Sequence, residues 1–120
     1  MRKSNILKEK NFAFALRIIK LYEFLKTEHK EFVLSKQILR SGTSIGAKIL
    51  ESENASSRKD FLNKLNIPLK ETDETDYWLE LLHRTGYLEQ KLYDSLHIDC
   101  NKVISLLVAS IKTLKTKELL

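Results

Sequence analysis

The chain has 120 residues, 42% hydrophobic and 31% charged, with a formal charge of +5. That is one domain's worth of sequence, with enough apolar material for one real core, and no apolar run approaches the roughly 20 residues of a membrane-spanning helix. Three glycines and one proline argue against a strand-rich fold punctuated by turns, and the single cysteine, Cys100, excludes an internal disulfide framework.

The charged N-terminus lacks the apolar stretch of a signal peptide, so the expected location is the cytoplasm. The basic balance favours a polyanion partner: RNA, DNA or an anionic membrane surface.

Hydrophobic spacing predicts four helices. The first runs from about Asn5 to Lys26, with Leu7, Phe14, Ile18, Leu21 and Leu25 on one face. A second set, Phe12, Ala15, Ile19 and Tyr22, makes the stripe broader than one partner helix needs. Thr27–Glu31 is the expected connection, and Ser35 a plausible N-cap for helix two, which continues to about Glu53.

Helix two carries the most informative stretch. Leu34, Ile38, Ser41, Ile45 and Ile49 share one face, and Leu39, Gly42 and Gly46 a neighbouring one. Ser41, Ser44 and Ala47 lie beside the glycines. A glycine inside a helix costs roughly 0.5–1 kcal/mol relative to alanine, so two of them imply that another backbone passes very close.

Asn54–Arg58 reads as a turn, with Ser56 or Ser57 capping helix three. Phe61, Leu65, Pro68, Thr72, Thr75, Leu79 and Leu82 then alternate by four and three, a heptad-like seam with a polar centre. Pro68 predicts a kink or short break near Asn66–Ile67, and Gly86 a left-handed cap. Helix four spans about Glu89 to Lys115, with Leu92, Leu96, Cys100, Val103, Leu107, Ile111 and Leu114 buried. Ile104 and Val108 form a second row. The tail from Thr116 is expected to fray. Four long helices with short connections make an up-down-up-down bundle. The doubled apolar rows suggest surface left over for self-association.

Few residues suggest chemistry. Glu80-Leu-Leu-His83 matches half of a di-iron carboxylate motif, but no second copy exists, so a solvated pair is the better reading. Asp73, Glu74 and Asp76, with Glu71 and Glu80, form an acidic stretch that could hold magnesium. The pairing needed with Glu28 and Glu31 places the latter in a loop, so an acidic solvated face fits better. His97 and Cys100 are too few for a metal, and Cys100 reads as a small core hydrophobe. No catalytic triad or phosphate-cradling loop is present. No catalytic residue, metal or cofactor is therefore assigned.

The basic residues are spread along the chain. Arg17 and Lys20 share a face. Lys36, Arg40 and Lys48 follow on helix two. Arg58 and Lys59 stand at a helix N-terminus, which itself favours phosphate. These seven are the candidate nucleic-acid contacts. Tyr77 and Trp78 could stack on bases, but beside Leu79, Leu81 and Leu82 they fit better as core or interface anchors.

Gln37-Ile-Leu-Arg-Ser-Gly-Thr-Ser-Ile-Gly-Ala-Lys-Ile-Leu-Glu51, then Asp60-Phe61, then Glu71-Thr-Asp-Glu-Thr-Asp-Tyr-Trp-Leu-Glu-Leu-Leu82, resembles the bacterial four helix bundle protein family. That family is also called the intervening-sequence protein of large-subunit ribosomal RNA. The resemblance spans about Asn11 to Lys115. Arg40, Ser41, Ser44, Ile45 and Glu51 fall on its helix-two motif, and Glu74, Trp78 and Leu79 on its helix-three motif. Lys48 stands where the family usually has asparagine, and Pro68 where it has a small helix former.

The resemblance implies an antiparallel four-helix bundle assembled as a ring, typically a homopentamer. A related branch is the accessory protein of diversity-generating retroelements, which works with a reverse transcriptase and RNA. The expected function is thus a non-enzymatic RNA-associated scaffold or accessory protein. The alternatives are an oligomeric scaffold recruiting a nucleic-acid enzyme, or a metal-dependent enzyme. Arg40 and Glu74, on consecutive antiparallel helices, are expected to pair across the bundle.

Overall fold

A computed structural model describes residues 2–119, with side chains from Ile6 to Thr116. Four helices follow one another: α1 (Arg2–His29), α2 (Leu34–Glu53), α3 (Arg58–Arg84) and α4 (Gln90–Leu119). Each packs on its two neighbours in the order α1–α2–α3–α4–α1, so the bundle is a closed square with antiparallel neighbours, 52 Å long. One end gathers the α1–α2 and α3–α4 turns. The opposite end holds the α2–α3 turn.

The turns show how the helices stop. α1 continues past Lys26 to His29, and Lys30, at φ 52°, takes a left-handed conformation rare for a residue with a Cβ. The cap of α2 is not Ser35. The Glu31 carboxylate does that work, accepting from the amides of Val33, Leu34 and Ser35 at 3.2, 3.0 and 2.7 Å. The Ser35 hydroxyl instead donates to the Glu31 carbonyl at 2.8 Å. A carboxylate reaches three orphan amides at once, which a serine hydroxyl cannot.

Of the two candidates Ser56 and Ser57, Ser57 caps α3, accepting from the Asp60 amide at 3.0 Å, while Asp60 Oδ2 accepts from the Ser56 amide at 3.0 Å. Gly86, at φ 90°, closes α3: its amide donates to the His83 carbonyl and that of Tyr87 to Leu82, a Schellman ending.

Two expectations are corrected. α3 runs through Pro68 without a break. Pro68 is buried in the seam, and the loss of one helical hydrogen bond is outweighed by that packing. α4 extends through the tail to Leu119; Leu120 lies outside the described residues.

The core takes Leu7, Phe14, Ile18, Leu21 and Leu25 from α1, with Ile38, Ile45 and Ile49 from α2. α3 adds Leu65, Leu79 and Leu82. Leu96, Cys100, Val103, Leu107 and Ile111 complete it from α4. Each large side chain contributes about 1.5–3 kcal/mol. The polar centre of the seam is satisfied: the Thr75 and Ser41 hydroxyls bond each other at 2.9 Å, and Thr72 donates to the Pro68 carbonyl at 2.7 Å.

The α2 glycines do mark a close approach, but by side chains of α1 rather than backbone. A Cβ on Gly42 would stand 2.8 Å from Ile18 Cγ2, and one on Gly46 would collide with Asn11 Nδ2. Ala47, placed beside them from sequence, is exposed. Of the broad α1 stripe, Phe12 and Ile19 point outward with Leu16, an exposed apolar line opposite the core.

Two consequences are measurable. Ile18 is fully buried and cannot retreat, so Gly42→Ala is expected to lower stability by about 1–2 kcal/mol despite its better helix propensity, read by chemical denaturation. Partial burial pushes the Glu31 carboxyl up, but the amides of Leu34, Ser35 and Val33 outweigh it and hold it below its usual range. A depressed carboxyl stabilises the fold above its unfolded value and loses that contribution as pH falls through the folded one. Glu31→Gln is therefore expected to cost about 1 kcal/mol at pH 7, with the gap to the parent closing below about pH 4.

Candidate nucleic-acid interface

The motif residues converge between α2 and α3. Arg40 Nη2 is hydrogen-bonded to Glu74 Oε2, and Arg40 Nη1 lies 3.8 Å from Glu71 Oε2. The Trp78 indole donates to the same Glu74 oxygen at 2.9 Å, and Gln37 Oε1 accepts from Arg40 at 3.1 Å. The pairing expected from sequence is present, extended by a tryptophan and a glutamine. Below it sit the Ser41–Thr75 bond and buried Ile45, while the Ser44 hydroxyl donates to the Ser41 carbonyl at 2.9 Å. Glu51 is exposed and paired with Lys48 at 3.3 Å. Tyr77 is 59% exposed, so of the two adjacent aromatics only Trp78 is an anchor.

The acidic stretch is largely engaged within the fold. Glu74 serves Arg40 and Trp78, Glu80 pairs with Arg84 at 2.7 Å, and Asp76 Oδ1 meets His97 Nδ1 at 2.7 Å. His83 Nδ1 meets the Leu88 carbonyl at 2.9 Å, and its ring stacks on Tyr93, which stacks in turn on His97. Burial, then the charges of Asp76, Glu80 and Asp94, push the Tyr93 hydroxyl above its usual range. Burial, then Asp76, Asp73 and Asp99, push the Cys100 thiol well up. That thiol stays protonated, 3.5 Å from the Thr72 carbonyl. Among the described residues no group of three or more His, Cys, Asp or Glu is placed to hold a metal.

The seven candidate cations separate into groups. Arg17, Arg40 and Lys48 are committed to ion pairs: Arg17 bridges α1 to α4 through Asp99 at 2.7 Å. Lys20 borders a shallow α1–α4 groove with Leu21, Phe24, Leu92 and Leu96. Lys36 stands in the first turn of α2, near the α1–α2 turn. Arg58 and Lys59 open α3 at the end formed by the α2–α3 turn, in the same half as Lys48.

That end is where charge collects. The bundle folds residues 2–15, 44–71 and 105–119 into one half. Among the described side chains it holds nine basic residues: Lys8, Lys10, Lys48, Arg58, Lys59, Lys64, Lys70, Lys112 and Lys115. Against them stand five carboxylates: Glu9, Glu51, Glu53, Asp60 and Glu71. In the other half nine basic residues face ten acidic ones, so the whole net charge lies in the first half. Lys8, Lys48 and Lys64 are paired with Glu53, Glu51 and Asp60. The Ser56 amide, then Lys64, hold the Asp60 carboxyl below its usual range.

α3 opens with Arg58 and Lys59, and α1 has no acid in its first turn. Cations oppose the helix dipole at an N-terminus, so helix stability does not explain Arg58 and Lys59 there, and Asp60 in the same turn offsets them only in part. Lys10, Lys112 and Lys115 join this end from two other helices. No linear spacing flags them, because the end they share with Arg58 exists only after folding.

These features define a class: a small all-α four-helix bundle with a cation-rich end and an arginine–carboxylate–indole clamp between α2 and α3. The chain belongs to the 23S rRNA-intervening sequence protein family, whose model matches residues 3–109. It is similar to a crystal structure from Bacteroides thetaiotaomicron VPI-5482, described as a protein with unknown function from the S23 ribosomal protein family. The two share 58% identity with a TM-score of 0.89, over 92% of this chain and 98% of that one. No curated protein matches the chain significantly.

Removing either side of the clamp strands the other. Arg40→Ala and Glu74→Ala are each expected to cost about 1 kcal/mol, with a coupling of about 0.5–1 kcal/mol in the double-mutant cycle. Independent, additive losses in denaturant melts would show that the pair does not act as a unit.

Proposed function

We propose that this protein is a non-enzymatic RNA-associated scaffold whose basic end holds phosphate backbone with little reading of sequence. The observation that carries this reading is the segregation of all the net charge into the half around the α2–α3 turn. There Lys10, Arg58, Lys59, Lys112 and Lys115 have no ion-pair partner among the described residues. The ribosomal names of its family and of its structural relative agree with it. Neither name is that of an enzyme. No described helix is long and apolar enough to cross a membrane.

The exposed Phe12, Leu16 and Ile19 line supplies a surface for self-association. A homopentameric ring, as the resemblance implies, would multiply the basic end five-fold. The same exposed line favours a second reading, a scaffold that recruits a nucleic-acid enzyme. That reading expects weak RNA binding and a co-purifying protein.

The test is anisotropy binding to a structured RNA across a salt series, on protein freed of carried-over nucleic acid. Steep log–log salt dependence is expected. The triple variant Arg58→Gln, Lys59→Gln, Lys112→Gln should flatten the slope by about 2–3, whereas Lys91→Gln with Lys102→Gln, from the other half, should not. Absence of binding at low salt would sink the proposal. Light scattering on the same sample reads the subunit count.

A further inference from the structure

The α1–α2 turn holds two large apolar side chains out in water. Phe32 is 51% exposed and Val33 70%. The turn that presents them is not loose. Lys30 adopts φ 52°, the Glu31 amide donates to the Leu25 carbonyl at 3.0 Å, and the Glu31 carboxylate binds three successive amides. An over-determined backbone that includes a left-handed lysine is where strain tends to serve function.

The surroundings say what the exposed ring suits. Lys30 and Lys36 flank it along the chain, and Lys26 lies against the Tyr22 ring at 4.7 Å. Glu31, its neighbour in the chain, is turned into the cap; Glu28 is the other acidic residue of this turn's sequence, and Glu89 stands in the α3–α4 turn at the same end. An exposed aromatic ring between cations is the pattern of a single-strand nucleic-acid platform, where a base stacks and the adjacent phosphates are neutralised.

We infer that this turn is a second RNA contact, separate from the basic end, in which Phe32 stacks on an unpaired base and Lys30 and Lys36 hold the neighbouring phosphates. It rests on the RNA reading above, and adds that the bound RNA presents single-stranded nucleotides.

The experiment compares a labelled oligoadenylate of roughly ten nucleotides with a blunt RNA duplex of similar length, using the wild-type protein and Phe32→Ala, Phe32→Trp and Phe32→Leu. Phe32 is exposed, so unchanged melting temperatures are expected. Phe32→Ala should weaken oligoadenylate binding about five- to a hundredfold and leave duplex binding as it was. Phe32→Trp should retain single-strand binding, and Phe32→Leu should lose it. Equal binding by the alanine variant overturns the inference, as does an equal loss on the duplex. Rescue by leucine also overturns it, since that would mean an apolar contact such as a protein pocket. Phe32-dependent binding to phosphatidylserine vesicles without oligoadenylate binding would reassign the turn to a lipid surface. If the duplex binds while the single strand does not, only this platform falls. If neither binds at low salt, the RNA function falls with it.

Discussion

The structure depends on how closely α1 can approach α2. At Gly42 and Gly46 the second helix has no side chain, and Ile18 and Asn11 of the first helix fill that space. This contact sets the separation of the first two helices. It also fixes which α2 face is left for α3. On that remaining face Ser41 meets Thr75, and Arg40 reaches Glu74 and Trp78. Widening the α1–α2 gap by one methyl group would pull on both. The small residues are thus a spacing device, and the polar pairs fix a register that apolar packing alone leaves less defined.

The helix ends carry the remaining specificity. Each turn is closed by a different device: a carboxylate gathering three amides at Glu31, a hydroxyl and carboxylate exchanging amides at Ser57 and Asp60, and a left-handed glycine at Gly86. All three connections are short, so antiparallel neighbours follow without further instruction. Folding by these local devices also decides the electrostatics. Starts and ends of helices far apart in the chain are brought to a common end, and charges that look evenly scattered along the sequence become a field with direction.

That field organises the functional reading. Several of the bundle's carboxylates are engaged within the fold: Glu74 by arginine and indole, Asp76 by imidazole and Glu31 by backbone amides. What it offers outward is positive charge at one end and, at the other, an aromatic ring on a stiff turn. The apolar line on α1 faces a third direction. It is on this partition of the surface that the proposed contact with an extended polyanion rests.

Much of this was legible in the sequence. The 3.6-residue periodicity placed all four helices. The seam residues of α3 and the core faces of α1 and α4 were found because burial repeats at helical spacing. The Arg40–Glu74 pair followed from two motifs on consecutive antiparallel helices, and Ser57 and Gly86 from local capping chemistry. Other features depended on competition that spacing does not encode. Ser35 lost the cap to Glu31 because a carboxylate satisfies more amides. Pro68 stayed helical because its burial outweighed one missing bond. Arg17 and Lys48, attractive as anion contacts in a list of cations, lie against Asp99 and Glu51.

The sequence by itself determined the helices, their faces and their order, because those depend on residues within a few turns of each other. The tertiary structure alone decided which cations stand free, which apolar residues face water and where the net charge gathers. Those properties belong to residues tens of positions apart, and at that separation distance along the chain does not set distance in space.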